Sequence, residues 1–261
     1  MVAPIGVFAH RRIDTLDRLL AKLVGQDVTV FVDPGDVDVA GMVRSRYGTF
    51  RVVVRDDHIG LVRNIEMGVA EILESKGSGI FLEDDLLIGD HCIEYFQNAL
   101  ASLRGRPEVF CVNGFAPYTG FFPGECALIP FASSWGWATW ADRWEGIDLA
   151  PEVRLDSEEE IYLWALTAND AKYRSSDWLW KWRYHILKRN GLALTPKMAM
   201  CTHVGFDHDS THFTAHKTNY PIYMNNKINE TSTAVEDLEF YHTMRKGMSR
   251  VPGVETIAEE V

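Results

Sequence analysis

Three consecutive carboxylates, Glu83, Asp84 and Asp85, stand in "GIFLEDDLLIG" (79–89) between two short apolar runs. Like charges so close repel one another and resist desolvation, so the arrangement costs stability unless water, hydrogen-bond donors or a cation surround it. A solvated acidic turn satisfies that requirement. So does a divalent cation with oxygen ligands, Mn²⁺ or Mg²⁺. On an extended backbone side chains alternate, which predicts Glu83 and Asp85 on one side and Asp84 on the other.

Three further clusters could carry chemistry. "SSWGWATWADRW" (133–144) holds Trp135, Trp137, Trp140 and Trp144; indoles so dense make either an aromatic core or a platform for the C–H faces of a sugar. Asp177 precedes "WLWKWRYHI", where an aspartate serves as a helix N-cap or, at the mouth of a pocket, as a general base. "CTHVGFDHDSTHFTAH" (201–216) carries His203, His208, His212 and His216 with Asp207 and Asp209. Gly205 and the Ser/Thr content favour a loop there, with ordinary surface histidines or with one histidine completing an ion held by the acidic triplet or touching a phosphate.

The elements that must position these residues follow from periodicity. "PIGVFAH" (4–10), "DVTVFVDPG" (27–35), "FRVVVRDD" (50–57), "GIFLED" (79–84) and "EVFCVNGF" (108–115) read as strands. Between them Ile13, Leu16, Leu19, Leu20 and Leu23 recur at helical spacing, as do Leu61, Ile65, Val69, Ile72 and Leu73, and then Ile93, Phe96, Leu100 and Leu103. Continuously apolar strands alternating with amphipathic helices predict a doubly wound, mostly parallel α/β sheet. Ligands of such sheets bind beyond the carboxyl ends of the strands, where the triplet falls. From residue 116 Gly, Pro and aromatics replace the periodicity and predict loops and short strands. An acidic helix (156–167) and an aromatic one (175–191) follow, then a polar tail from 228.

The chain has 46% hydrophobic residues among 261, enough for a sizeable core, and a formal charge of −11, which excludes a basic face for nucleic acid as its main business. Cys92, Cys111, Cys126 and Cys201 lie far apart without metal-finger spacing and read as reduced, buried thiols of a cytoplasmic protein. No apolar run reaches the length of a membrane helix, which leaves room for a peripheral contact at the inner face of the membrane.

In this order, "PIGVFAHRR", "VDPG", "GLVRNIEMGV", "FLEDD", "SSWGWATWADRW", "SDWLWKW" and "THVGFDHDSTH" resemble bacterial nucleotide-sugar glycosyltransferases of the GT-A fold, similar in plan to the N-acetylglucosaminyltransferase I group. E-D-D stands in the place of that family's D-x-D. The resemblance implies a nucleotide-sugar-binding half (1–115), an acceptor-binding α+β half (116–227) and a C-terminal arm (228–261). It implies that Asp85 ligates Mn²⁺ or Mg²⁺ on the donor diphosphate, with His212 at the metal or diphosphate. Glu83 and Asp84 would contact ribose, donor sugar or metal-bound water, and Asp33 the uracil ring. Arg11, Arg12 and Arg63 would lie near the nucleotide, Trp135 and Trp137 on the acceptor side, and Asp177 would be the base of an inverting transfer. The implied donor is UDP-linked, with UDP-N-acetylglucosamine the first candidate, and the implied acceptor is a hydroxyl of a glycan, glycolipid or glycoprotein. A metal-dependent hydrolase or nucleotidyltransferase would also explain the acids and histidines, and a carbohydrate-binding module the tryptophans.

Overall fold

The computed structural model describes residues 2–33, 37–115, 126–148, 152–158, 160 and 178–204, with the backbone of short strands at 221–224, 227–231 and 256–257. The first unit is β1 (Ile5–Ala9), α1 (Ile13–Lys22), β2 (Val28–Val32), α2 (Val37–Arg46), β3 (Arg51–Val54), α3 (Leu61–Lys76) and β4 (Ser78–Glu83). Then come β5 (Leu86–Ile88), α4 (Cys92–Ser102), β6 (Val109–Asn113), β7 (Cys126–Ile129), β8 (Trp137–Trp140), α5 (Ala141–Trp144), α6 (Trp178–Leu187), β9 (Leu192–Pro196) and β10 (Cys201–His203). The chain ends with β11 (Pro221–Met224), β12 (Lys227–Thr231) and β13 (Thr256–Ile257).

Nine strands form one sheet in the order β13-β7-β9-β6-β8-β4-β1-β2-β3. β8 is antiparallel to both β4 and β6, and β7 to both β9 and β13, while the other neighbours pair in parallel. Only β7 and β8 therefore oppose the common direction, so the sheet is mostly parallel, as the unbroken apolar strands predict. Strands from both halves of the chain share it.

Both faces are covered. On one, Leu16, Leu19 and Leu20 of α1, Val39 and Val43 of α2 and Phe96 and Leu100 of α4 pack against Ile5, Val7 and Ile80. On the other, Ile65, Val69 and Ile72 of α3 and Trp182 and Ile186 of α6 pack against Phe8, Phe31 and Phe81. Alternation along a strand feeds the two cores, and α3 comes so close that a Cβ on Gly68 would meet Phe8 at 2.6 Å. Helix α2 has no counterpart in the apolar periodicity, since Gly41 and three β-branched valines give it no strong helical stripe. The acidic helix expected at 156–167 falls largely outside the described residues.

The tryptophan segment is split by Gly136, whose φ of +66° turns the chain before β8. Trp137 lies 2% exposed, its ring 4.7 Å from Phe81, 5.1 Å from Trp178 and 5.9 Å from Trp182. The acceptor-side expectation for Trp137 is thus corrected: an indole packed among aromatic rings offers a sugar no face. Trp140 donates its Nε1–H to the Leu100 carbonyl at 3.1 Å, and buried Arg143 donates to the carbonyls of Arg104, Arg106 and Val109, so this motif anchors the α4–β6 connection. Replacing Trp137 by Ala is expected to cost about 3–5 kcal/mol in urea unfolding. Trp135→Ala, at a half-buried position, is expected to cost clearly less.

Candidate active site

The carboxyl ends of β1, β2, β3 and β4 present the segments that begin at His10, Asp33, Arg55 and Asp84 along one edge of the sheet. Asp84 and Asp85 occupy a tight turn between β4 and β5, and both are buried, 4% and 5% exposed. The turn overrides the alternation expected of an extended strand. Asp84 and Asp85 do not point to opposite sides; both reach Arg12, whose Nη1 lies 3.3 Å from Asp84 Oδ1 and 2.8 Å from Asp85 Oδ2.

Asp84 uses its other oxygen as well. Oδ2 accepts the His10 backbone N–H at 2.7 Å, and the Asp84 N–H donates to the Phe8 carbonyl at 3.0 Å. This carboxylate ties the β1–α1 loop to the end of β4. Burial, assisted by the neighbouring charge of Asp85, raises its pKa against the His10 N–H and Arg12.

Asp85 is placed by a second, two-stranded ribbon in which β5 pairs antiparallel with β10, His203 opposite Leu86. The Val204 N–H donates to the Asp85 carbonyl at 2.9 Å, and His203 Nε2 lies 3.0 Å from Asp85 Oδ2. Burial alone would raise the Asp85 pKa; the hydrogen bond and charge of His203, with Arg12, overcome it and hold the carboxyl below the usual range. Oδ1 is buried and has no hydrogen-bond partner among the described residues. Close packing brings the ribbon in: Gly114 and Gly136 each face Cys201 Sγ so tightly that a Cβ would sit 2.5 Å and 2.6 Å away. Cys201, like the other three cysteines, is buried and in no disulfide among the described residues.

One strand away on the other side of β1, Asp33 follows β2 and is 6% exposed. Its Oδ2 lies 3.1 Å from His58 Nδ1, while Oδ1 is buried without a partner among the described residues. Arg55, just past β3, donates from Nε to Asn64 Oδ1 at 3.0 Å and lies over the Phe31 ring.

Among the other expected residues, Glu83 is half-buried at the end of β4, Arg11 is exposed in the β1–α1 loop, and Arg63 is exposed on the first turn of α3. Trp135 is half-buried with its ring 5.2 Å from His203 and 4.3 Å from Phe115, so of the two acceptor-side tryptophans it alone borders this edge. Asp177 and His212 lie outside the described residues. The histidine that the described structure brings to Asp85 is His203. Its place could be found only from the pairing of "CTH" with "LLI", which no local spacing announces.

Among the described residues no three His, Cys, Asp or Glu side chains form a self-sufficient metal cage. Mg²⁺-type sites can take one or two protein carboxylates and complete their shell with substrate oxygens and water. The open Oδ1 of Asp85 fits that partial role. No helix among the described residues is long and apolar enough to cross a membrane.

No family model and no curated protein matches the chain. A comparison with solved structures finds matches at low identity. Mannose-1-phosphate geranyltransferase from Thermus thermophilus is 15% identical over 75% of this chain and 74% of its own, with a TM-score of 0.42. The inositol-1-phosphate CTP transferase from T. maritima is 9% identical over 96% and 98%, at 0.45. The 4-diphosphocytidyl-2C-methyl-D-erythritolsynthase from Anaerococcus prevotii is 12% identical over 64% and 86%, at 0.37. Such values assign no family, and none of the three is named as an N-acetylglucosaminyltransferase.

Asp84→Ala removes the acceptor of the His10 N–H and one of the two carboxylates that hold Arg12. A loss of about 1–3 kcal/mol in stability is expected, with faster hydrogen exchange at the His10 amide as the specific sign.

Proposed function

We propose that the chain is a transferase that works on a nucleotide sugar bound along the carboxyl edge of β2, β1 and β4. One observation carries this reading. Two buried carboxylate oxygens without partners, Asp33 Oδ1 and Asp85 Oδ1, belong to residues just beyond β2 and β4, the strands that flank β1. Two strand spacings separate those strands, roughly 10 Å. Across that separation an extended ligand is better suited than a single ion to serve both oxygens. A ligand with an N–H donor at one end and a cation-bearing diphosphate at the other can, and a nucleoside diphosphate is such a ligand.

In this reading Asp33 accepts from the base, and Arg12 and Arg11 face the diphosphate. Arg63 lies near the nucleotide, and Glu83 near the ribose and donor sugar. Asp84 holds the β1–α1 loop in place. Asp85, with His203 beside it and His212 as a further candidate, would hold Mn²⁺ or Mg²⁺, whose charge would offset that developing on the leaving diphosphate. The first reading, from the resemblance, is transfer of the sugar. The acceptor hydroxyl oxygen bonds to the anomeric carbon as the bond from that carbon to the diphosphate oxygen breaks, and Asp177, directly before α6, takes the hydroxyl proton. Trp135 borders the acceptor side, where a glycan, glycolipid or glycoprotein would bring that hydroxyl.

The second reading, nearer to the activities named for the structures above, is nucleotidyl transfer: a sugar phosphate attacks the α-phosphorus of a nucleoside triphosphate and pyrophosphate leaves. The same nucleotide crevice serves both, and the products separate them. A panel of UDP-, GDP- and CDP-sugars with Mn²⁺ is expected to release the nucleoside diphosphate from one donor. Pyrophosphate released from a triphosphate and a sugar 1-phosphate would establish the second reading, and stabilisation by free glycan with neither product would reduce the chain to a binding module. Asp85→Ala is expected to abolish Mn²⁺-dependent nucleotide binding in calorimetry. Asp177→Asn is expected to lower turnover at least about 100-fold with donor affinity retained, and near-normal turnover would remove Asp177 from the role of base.

A further inference from the structure

The geometry points to Arg12 as an internal counter-cation that holds Asp85 when no divalent ion does, so that nucleotide and metal bind cooperatively by exchanging this one guanidinium. The inference rests on the nucleotide-binding reading above and on neither choice of reaction.

Two adjacent carboxylates buried to this degree require positive charge. Arg12 Nη1 supplies it to both at once, at 3.3 Å and 2.8 Å. The two acids are not equally committed. Each Asp84 oxygen has its own protein partner, the His10 N–H and Arg12. Asp85 presents one oxygen to two groups, Arg12 and His203, and among the described residues leaves the other with none. Asp85 is therefore the exchangeable acid and Asp84 the structural one.

Arg12 is placed to make the exchange. It stands immediately before α1, the α1 residue Leu16 bonding its carbonyl at 2.9 Å, and its side chain retains 23% exposure while the acids retain 6% and 7%. A guanidinium binds phosphate in the same forked manner as carboxylate, and a diphosphate offers more charge than one carboxylate edge. When the diphosphate draws Arg12 away, Asp85 loses half of its compensation and binds a divalent cation more tightly. Without the diphosphate, Arg12 on Oδ2 and an ion on Oδ1 compete for the charge of the same carboxylate. By linkage the ion strengthens nucleotide binding by the same factor as the nucleotide strengthens ion binding.

The test measures free Mn²⁺ by electron paramagnetic resonance in titrations of the full chain and of R12Q, with and without UDP or GDP. The native chain is expected to bind Mn²⁺ weakly alone and at least about fivefold more tightly with the preferred nucleotide. R12Q is expected to bind Mn²⁺ alone at least about fivefold more tightly than the native chain, with the nucleotide adding little. Equal or weaker Mn²⁺ binding by R12Q, or a cooperative factor that survives the substitution, overturns the inference. If circular dichroism shows R12Q unfolded, R12K decides. Its shorter side chain brings the charge less close to Asp85, so nucleotide-free Mn²⁺ binding tighter than native is again expected, and native affinity overturns the inference. Loss of product release in the donor panel tests the transferase reading separately, since these titrations involve no turnover.

Discussion

The bond that the rest of this structure depends on joins one guanidinium to two buried carboxylates. Arg12 comes from the loop after the first strand, and Asp84 and Asp85 from the turn after the fourth, so their contact closes the carboxyl edge of the parallel sheet. The same turn is where the chain leaves the large sheet for the β5–β10 ribbon. Two bodies of secondary structure are thus referenced to one charge cluster: Asp84 fixes the loop of the large sheet through the His10 N–H, and Asp85 fixes the ribbon through Val204 and His203. Partners of both kinds are needed because a buried carboxylate without them is too costly to keep ionised.

Such a cluster needs its surroundings at close range, and small residues supply it. Gly114 and Gly136 admit Cys201, which brings His203 into reach of Asp85, while Cys201 Sγ donates to the Trp135 carbonyl at 2.8 Å. Gly136 also divides the tryptophans: Trp135 before it stays beside His203, and Trp137, Trp140 and Trp144 after it enter the cores. One aromatic motif thereby supplies a wall to the candidate site and a packed interior behind it. The interior part is what makes the wall stiff.

Much of this was legible in the residues. Continuous apolar strands and the spacing of Leu16, Leu19, Ile65, Val69 and Phe96 specify the doubly wound sheet, because burial on both faces demands that pattern. The position of the acids at a strand end follows from the same reading. Their orientation does not, since a turn at 84–85 cancels the alternation that an extended chain would impose. Nor does the partnership of His203 with Asp85, or of His58 with Asp33, which arises from pairing between distant segments and from close approach at glycines. Helix α2 was hidden for a local reason: its valines and Gly41 carry little helical signal, and tertiary packing of Val39 and Val43 makes it helical.

Why a protein would leave Asp33 Oδ1 and Asp85 Oδ1 buried and unpartnered is then a question of what completes them. Each orphaned acceptor forfeits the hydrogen bonds it would have had in water, and folding alone gives nothing back. Satisfying them within the fold would fill the crevice with protein donors and leave no differential affinity for a ligand. Leaving both open, just beyond the strands either side of β1, would on the proposed reading set the ligand's length and its polarity, a donor at one end and positive charge at the other. The excess negative charge at Asp84 and Asp85 would still repel a diphosphate. On the proposed reading Arg12 would answer that constraint, because a cation free to exchange could neutralise the acids before the ligand arrives and the phosphates afterwards, where a fixed one could serve only one of the two states.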